Sequence, residues 1–163
     1  DRFRVRFYCG PIVAENPIRR RVAELGIEDF CEFLDFVPLS EVPSIFARAS
    51  CLLLLAAKSG PRGTHGIMTT KFFEYLAANR PILCVRSDEE CLEAAIHETN
   101  AGCAARTLEE AEAYLLSLWN EWIEKGVTQG RTLANKLSLF SRETQAQQFC
   151  ELFDRVLAQK QGT

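Results

Sequence analysis

The unbroken apolar run from Cys51 to Ala56, CLLLLA, constrains this chain more than any other feature. A strand with one wet face alternates apolar and polar residues. A strand without alternation has both faces covered, as inside a parallel sheet with helices on both sides. The run is far too short to span a bilayer. Its surroundings agree with such a sheet, because strand and helix patterns alternate along the sequence. FRVRFYC (Phe3 to Cys9) is a strand pattern that stops at Gly10-Pro11. Asn16 is a helix N-cap with Pro17 at the first helical position. The helix that follows places Ile18, Val22 and Leu25 on one face, with Arg19 to Arg21 solvated, and Gly26 ends it. FCEFL (Phe30 to Leu34) is a second strand, and Ser40 caps a short helix, EVPSIFARA.

After the third strand come the loop KSGPRGTHG (Lys58 to Gly66) and a helix over Met68 to Asn79. PILCV (Pro81 to Val85) is a fourth strand, SDEECLEAAIHET a helix and CAAR a short fifth strand. LEEAEAYLLSLWNEWIEKG is a long helix closing at Gly126. A last helix, capped by Ser141, carries Phe149, Leu152, Phe153 and Val156 on one stripe. The fold class expected is α/β: a single Rossmann-like three-layer α/β/α domain over residues 1–163, with a parallel sheet of about five strands. Sheets of this kind bind ligands at the carboxyl ends of their strands, and the third strand's carboxyl end opens into KSGPRGTHG.

Composition narrows the function. With 163 residues, 47% hydrophobic and 25% charged, the chain can bury a sizeable core. A net charge of −3 argues against a dedicated nucleic-acid binder. DRFRVRFYCG has no apolar h-region and does not read as a signal peptide. The seven cysteines form no C-x-x-C, and with two histidines a zinc cluster is not expected; they read as reduced core thiols in the cytoplasm.

In HGIMTTKFFEYLAANRPIL, Lys71 and Glu74 stand at the mouth of an otherwise apolar helix. On a wheel of about 100° per residue, Phe72, Phe73, Leu76 and Ala77 face the sheet, while Lys71, Glu74, Tyr75 and Ala78 lie on the other side. One reading is a surface ion pair, in the weaker of the two orientations. A capping box fails on spacing, because Thr70 lies four positions before Glu74. The other reading is a ligand site. No G-K-[ST] ending, G-x-G-x-x-G or nucleophile elbow accompanies it.

GIMTTKFFEYLAANRPIL resembles the nucleotide-sugar-binding segment of group 1 retaining glycosyltransferases with the GT-B fold: a glycine-containing loop, a helix of the form K-x-x-E-Y-L-A, and a turn into P-I-L. FYCGPI, LGIEDFCEFLDFVPLSEVPSIFARASCLLLL and SLFSRETQAQQFCELF resemble the family's flanking segments in the same order. The resemblance implies the C-terminal, donor-binding half of a longer two-domain enzyme that lacks its first strand here and whose missing N-terminal domain binds the acceptor. The fragment alone is then inactive. Glu74 would accept the ribose hydroxyls of a nucleoside-diphosphate sugar. The amides of Gly66, Ile67 and Met68 would meet the diphosphate, Lys71 would add positive charge, and the loop of Phe36, Val37 and Pro38 would line the nucleobase. Gly10, Arg62 and His65 are further candidates on the phosphate side.

The physics of the segment agrees with these roles. A helix N-terminus suits an anion, and a carboxylate, being acceptor-only, suits a diol. No cofactor and no metal are implied, nor a nucleic-acid partner or a transmembrane segment. The location implied is cytoplasmic, at the inner membrane surface in the intact enzyme. Two departures stand out. Eight positions before Glu74 many members carry a second glutamate, where this chain has Gly66, and a turn usually glycine is Asp35. The rival readings are a flavodoxin-like interaction module and a degenerate, non-catalytic relative. A receiver module would need aspartate at the end of the first strand, where Cys9-Gly10-Pro11 stands. With the family's first strand absent, pairing Phe3–Cys9 directly with Cys51–Ala56 gives strand order 2-1-3-4-5 and a monomer. An open gap filled by a second chain is the less favoured arrangement.

Overall fold

A computed structural model describes residues 3–10, 16–55, 66, 68–85 and 90–161. The strand–helix alternation is present, and the chain divides into two compact units, Asp1–Ser44 and Ile45–Thr163.

In the first unit β1 (Val5–Tyr8) pairs in parallel with β2 (Cys31–Leu34). Arg6 stands opposite Glu32 and donates to it at 2.7 Å; Phe7 stands opposite Phe33, with ring centroids 5.0 Å apart. Helix α1 (Pro17–Glu24) begins as its sequence dictates, with Asn16 Oδ1 accepting from the amides of Ile18 (2.9 Å) and Arg19 (3.3 Å). Of the expected stripe only Val22 is buried; Ile18 and Leu25 are exposed, and Leu25 rather than Gly26 is the C-cap. Arg19 is not simply solvated, since its guanidinium lies 4.8 Å from the Phe33 ring centroid.

Helix α2 (Val42–Arg48) spans the boundary between the units, after a 3₁₀ turn, Leu39–Glu41, that takes Ser40 out of the capping position. In the second unit β3 (Leu52–Leu55), β4 (Ile82–Val85) and β5 (Gly102–Ala105) form a parallel sheet in the order β3-β4-β5. Around it stand α3 (Thr70–Ala78), α4 (Glu90–Thr99), α5 (Leu108–Lys125), α6 (Ala134–Leu137) and α7 (Arg142–Gln161). Gly126 ends α5 in the left-handed region, and Ser141 Oγ caps α7 by accepting from the Thr144 amide at 3.1 Å. The α7 stripe of Phe149, Leu152, Phe153 and Val156 is exposed.

Two expectations are corrected here. The strand covered on both faces is β4, not β3. Ile82 and Cys84 belong to the core that contains Leu54, Phe72, Leu76, Leu92 and Ile96, whereas Leu83 packs with Ala105 and Ala111 in a second cluster. The run at β3 instead buries Leu52 and Leu54 and exposes Leu53 and Leu55. Residues of α3 and α4 pack on one face of β4 and residues of α5 on the other, whereas β3 is buried on the face of Leu52 and Leu54. Secondly, the described strands form a two-stranded sheet in the first unit and a three-stranded sheet in the second, where a single sheet of about five strands was expected. Within the first unit, Arg6 of β1 is exposed and paired with Glu32, as on a strand with one wet face.

An aperiodic stretch after α5, residues 128–133, straps the amino-terminal ends of the second sheet. Thr128 Oγ1 donates to the Ser50 carbonyl at 2.6 Å, ahead of β3. Arg80, ahead of β4, donates to the carbonyls of Ala49 (2.6 Å) and Thr128 (3.2 Å). Asn100 Nδ2 donates to Arg131 O (3.0 Å) and the Leu133 amide to Thr99 O (2.9 Å), ahead of β5. Arg131 also reaches Glu121, whose carboxylate is almost wholly buried and also pairs with Lys125. Burial pushes the Glu121 carboxyl up. The Lys125 hydrogen bond and the Arg131 charge outweigh that and hold it below the ordinary carboxylate range.

Gly130 lies so close to Asn79 that a Cβ would overlap the Asn79 carbonyl. Gly130→Ala is therefore expected to destabilise the protein by about 1–3 kcal/mol, the usual cost of overpacking. Urea denaturation of both proteins checks this; equal midpoints would mean that the strap does not bear on Asn79.

Candidate functional site

α3 is positioned by its buried side. Phe72 and Leu76 are essentially inaccessible, and each such side chain contributes about 1.5–3 kcal/mol of burial. Phe73 and Tyr75 are half-buried against the same core. Ala77, expected on the sheet side, is exposed, whereas Tyr75, expected off it, turns inward. Tyr75 does so because its hydroxyl donates to the Leu53 carbonyl of β3 at 3.4 Å. Burial raises the Tyr75 pKa, and the nearby Glu74 charge adds to the rise.

The helix opens at Thr69, which is extended (φ −66°, ψ 140°) and makes no side-chain capping bond. The Phe72 amide donates to the Thr69 carbonyl at 3.0 Å, and the Thr69 side chain caps none of the helix's first amides. Gly66 is exposed with φ +83°, and Met68 is half-buried against the core. Lys71 Nζ lies 3.0 Å from Glu74 Oε2, with side chains 56% and 43% exposed. An ion pair so exposed contributes about 0–1 kcal/mol, so stability does not explain it. The Lys71 ammonium also lies 5.9 Å from the centroid of Phe46 on α2, and Phe46 meets Tyr75 edge-on at 5.0 Å. Sequence reading missed Phe46 and the inward turn of Tyr75, because a contact between residues 46 and 75 leaves no local pattern.

In the first unit the structure brings together two candidates that the sequence gives separately. Gly10 has φ +76°, and the Phe36 ring fills the space where a Cβ would stand, so residue 10 must be glycine on both counts. Phe36 is nonetheless 72% exposed, Val37 is half-buried and Pro38 is exposed. Ile67, Arg62 and His65 lie outside the described residues.

A cavity of about 60 Å³ lies between Pro81, Asn100, Gly102, Tyr114 and Arg131. It has room for a few waters, and small-molecule sites run to about 300–1,000 Å³, so it is not the nucleotide site. Among the described residues no group of three or more His, Cys, Asp or Glu could hold a metal ion, and no helix is long and apolar enough to cross a membrane.

No protein-family model matches the chain, and no curated protein does. Among solved structures it is similar to Anabaena Alr3699/HepE in its crystal structure in complex with UDP. The TM-score is 0.55 and the identity 18%, over 85% of this chain and 36% of that one. The chain thus spans about a third of the length of that protein. The likeness concerns the fold: α/β and Rossmann-like, with parallel sheets resembling the C-terminal half of a GT-B structure.

Proposed function

We propose that the chain binds the nucleotide of a nucleotide-sugar donor at the start of α3, as the donor-binding half of a retaining glycosyltransferase. The observation that carries this reading is the exposed Lys71–Glu74 pair on the first turns of a helix whose N-cap side chain makes no capping bond. Glu74 exchanges its ammonium partner for the two ribose hydroxyls, which it accepts as hydrogen bonds. The amides at Gly66, Ile67 and Met68, with Lys71, meet the diphosphate, where helix polarity favours negative charge. Arg62 and His65 are further phosphate-side candidates. The UDP in the structurally similar protein supports a nucleoside diphosphate as the ligand class. In the intact enzyme, positively placed groups stabilise the charge that develops on the leaving diphosphate. We place residues 1–163 as one donor-binding domain of a cytoplasmic, monomeric enzyme that works without a metal.

One observation favours a second reading, a binding module without transfer. Gly66 occupies the position of a second family glutamate and has φ +83°, a conformation that a glutamate rarely adopts. Residue 66 therefore offers the donor sugar no carboxylate.

Calorimetric titration with UDP, GDP and ADP tests the proposal. Glu74→Ala is expected to weaken the best binder about ten- to a hundredfold, from charge-assisted hydrogen bonds worth roughly 1.5–3 kcal/mol. The fold should survive, since the Glu74 side chain is exposed. Unchanged affinity would remove Glu74 from the ribose. Lys71→Ala is expected to cost less and to flatten the salt dependence of binding; an unaltered salt slope would place Lys71 away from the phosphates.

A further inference from the structure

We propose that Phe46 is a positioning residue for Lys71, holding the ammonium at the mouth of α3 when Glu74 turns to the ribose; this rests on the nucleotide-binding reading above. The Lys71 ammonium has two partners, the Glu74 carboxylate at 3.0 Å and the Phe46 ring at 5.9 Å from its centroid. A carboxylate engaged with a diol gives up much of its hold on the ammonium. A lysine released from its only partner would regain its rotamer freedom, and binding would have to freeze it again. The ring is a second partner that the ligand does not compete for, because a cation is drawn to an aromatic face by the quadrupole.

The ring itself is fixed. Phe46 is half-buried and meets Tyr75 edge-on, at 5.0 Å and an interplanar angle of 86°. Tyr75 is tied to β3 through Leu53 O at 3.4 Å. The contacts therefore run from the sheet through Tyr75 and Phe46 to Lys71 and Glu74, all within the second unit. Phe46 lies outside the main buried core, so filling that core is not its only use.

A double-mutant cycle on nucleoside-diphosphate affinity tests this. Phe46→Leu keeps an apolar side chain and removes the ring face. It is expected to weaken binding about two- to fivefold, the range of an exposed cation–π contact. In a Lys71→Met background the same substitution is expected to change nothing, and Phe46→Trp is expected to bind as the parent does. Equal losses in both backgrounds, or no loss in either, would overturn the inference while leaving the nucleotide reading intact. Failure of the parent to bind any nucleoside diphosphate would overturn both. Should Phe46→Leu lower the melting temperature so far that binding cannot be measured, pentafluorophenylalanine at position 46 keeps the ring's shape and removes its negative face. The same two- to fivefold loss is then expected, and parent-like binding would overturn the proposal.

Discussion

Burial of Phe72 and Leu76 against the strands fixes α3, and the chemistry of the molecule depends on it. Both side chains are sealed in the core with Leu54, Ile82 and Cys84. A helix pinned on that side has no rotational freedom left, so residues 71 and 74 must face outward at its amino-terminal end. Tyr75 tightens the placement through Leu53 O, and Phe46 abuts both Tyr75 and Lys71. An ion pair that adds little to stability is thereby held by contacts that add a great deal.

The two ends of the second sheet are treated differently. At the amino-terminal ends, the strap over residues 128–133 satisfies the carbonyls of Ser50 and Thr99, and Arg80 clasps it to Ala49. A cavity of about 60 Å³ lies at that end, beside Asn100 and Arg131. In parallel α/β sheets the carboxyl ends are where ligands bind, and it is there that α3 presents its first turn. In the first unit Gly10 and Phe36 show the same economy, since the absence of a side chain at one position makes room for a ring at the other.

What was legible in the sequence was local. Asn16-Pro17, Ser141 and Gly126 announce helix ends through their own hydrogen bonds and backbone conformation, and each stands where expected. Glu74 and Lys71 were legible as an outward pair because a helical period separates them from Phe72 and Leu76. Sheet position was not. Four leucines in β3 promise coverage on both faces, but coverage depends on the helices that pack on each face, and the shorter apolar run of β4 receives it. Element order suggests a single sheet of about five strands, but it carries no pairing information. The strap was illegible because polar, aperiodic residues make their hydrogen bonds to turns far away in sequence. Phe46 belongs to the same class of long-range contact.

The central claim is that a carboxylate on α3 reads a ribose diol. The affinity of the parent protein for its best nucleoside diphosphate, set against the 2′,3′-dideoxy form of the same nucleotide, tests that contact without altering the protein. Loss of both hydroxyls should weaken binding by about ten- to a hundredfold, as expected for charge-assisted hydrogen bonds. Equal affinities for the two nucleotides would contradict the contact and, with it, the function proposed for Glu74.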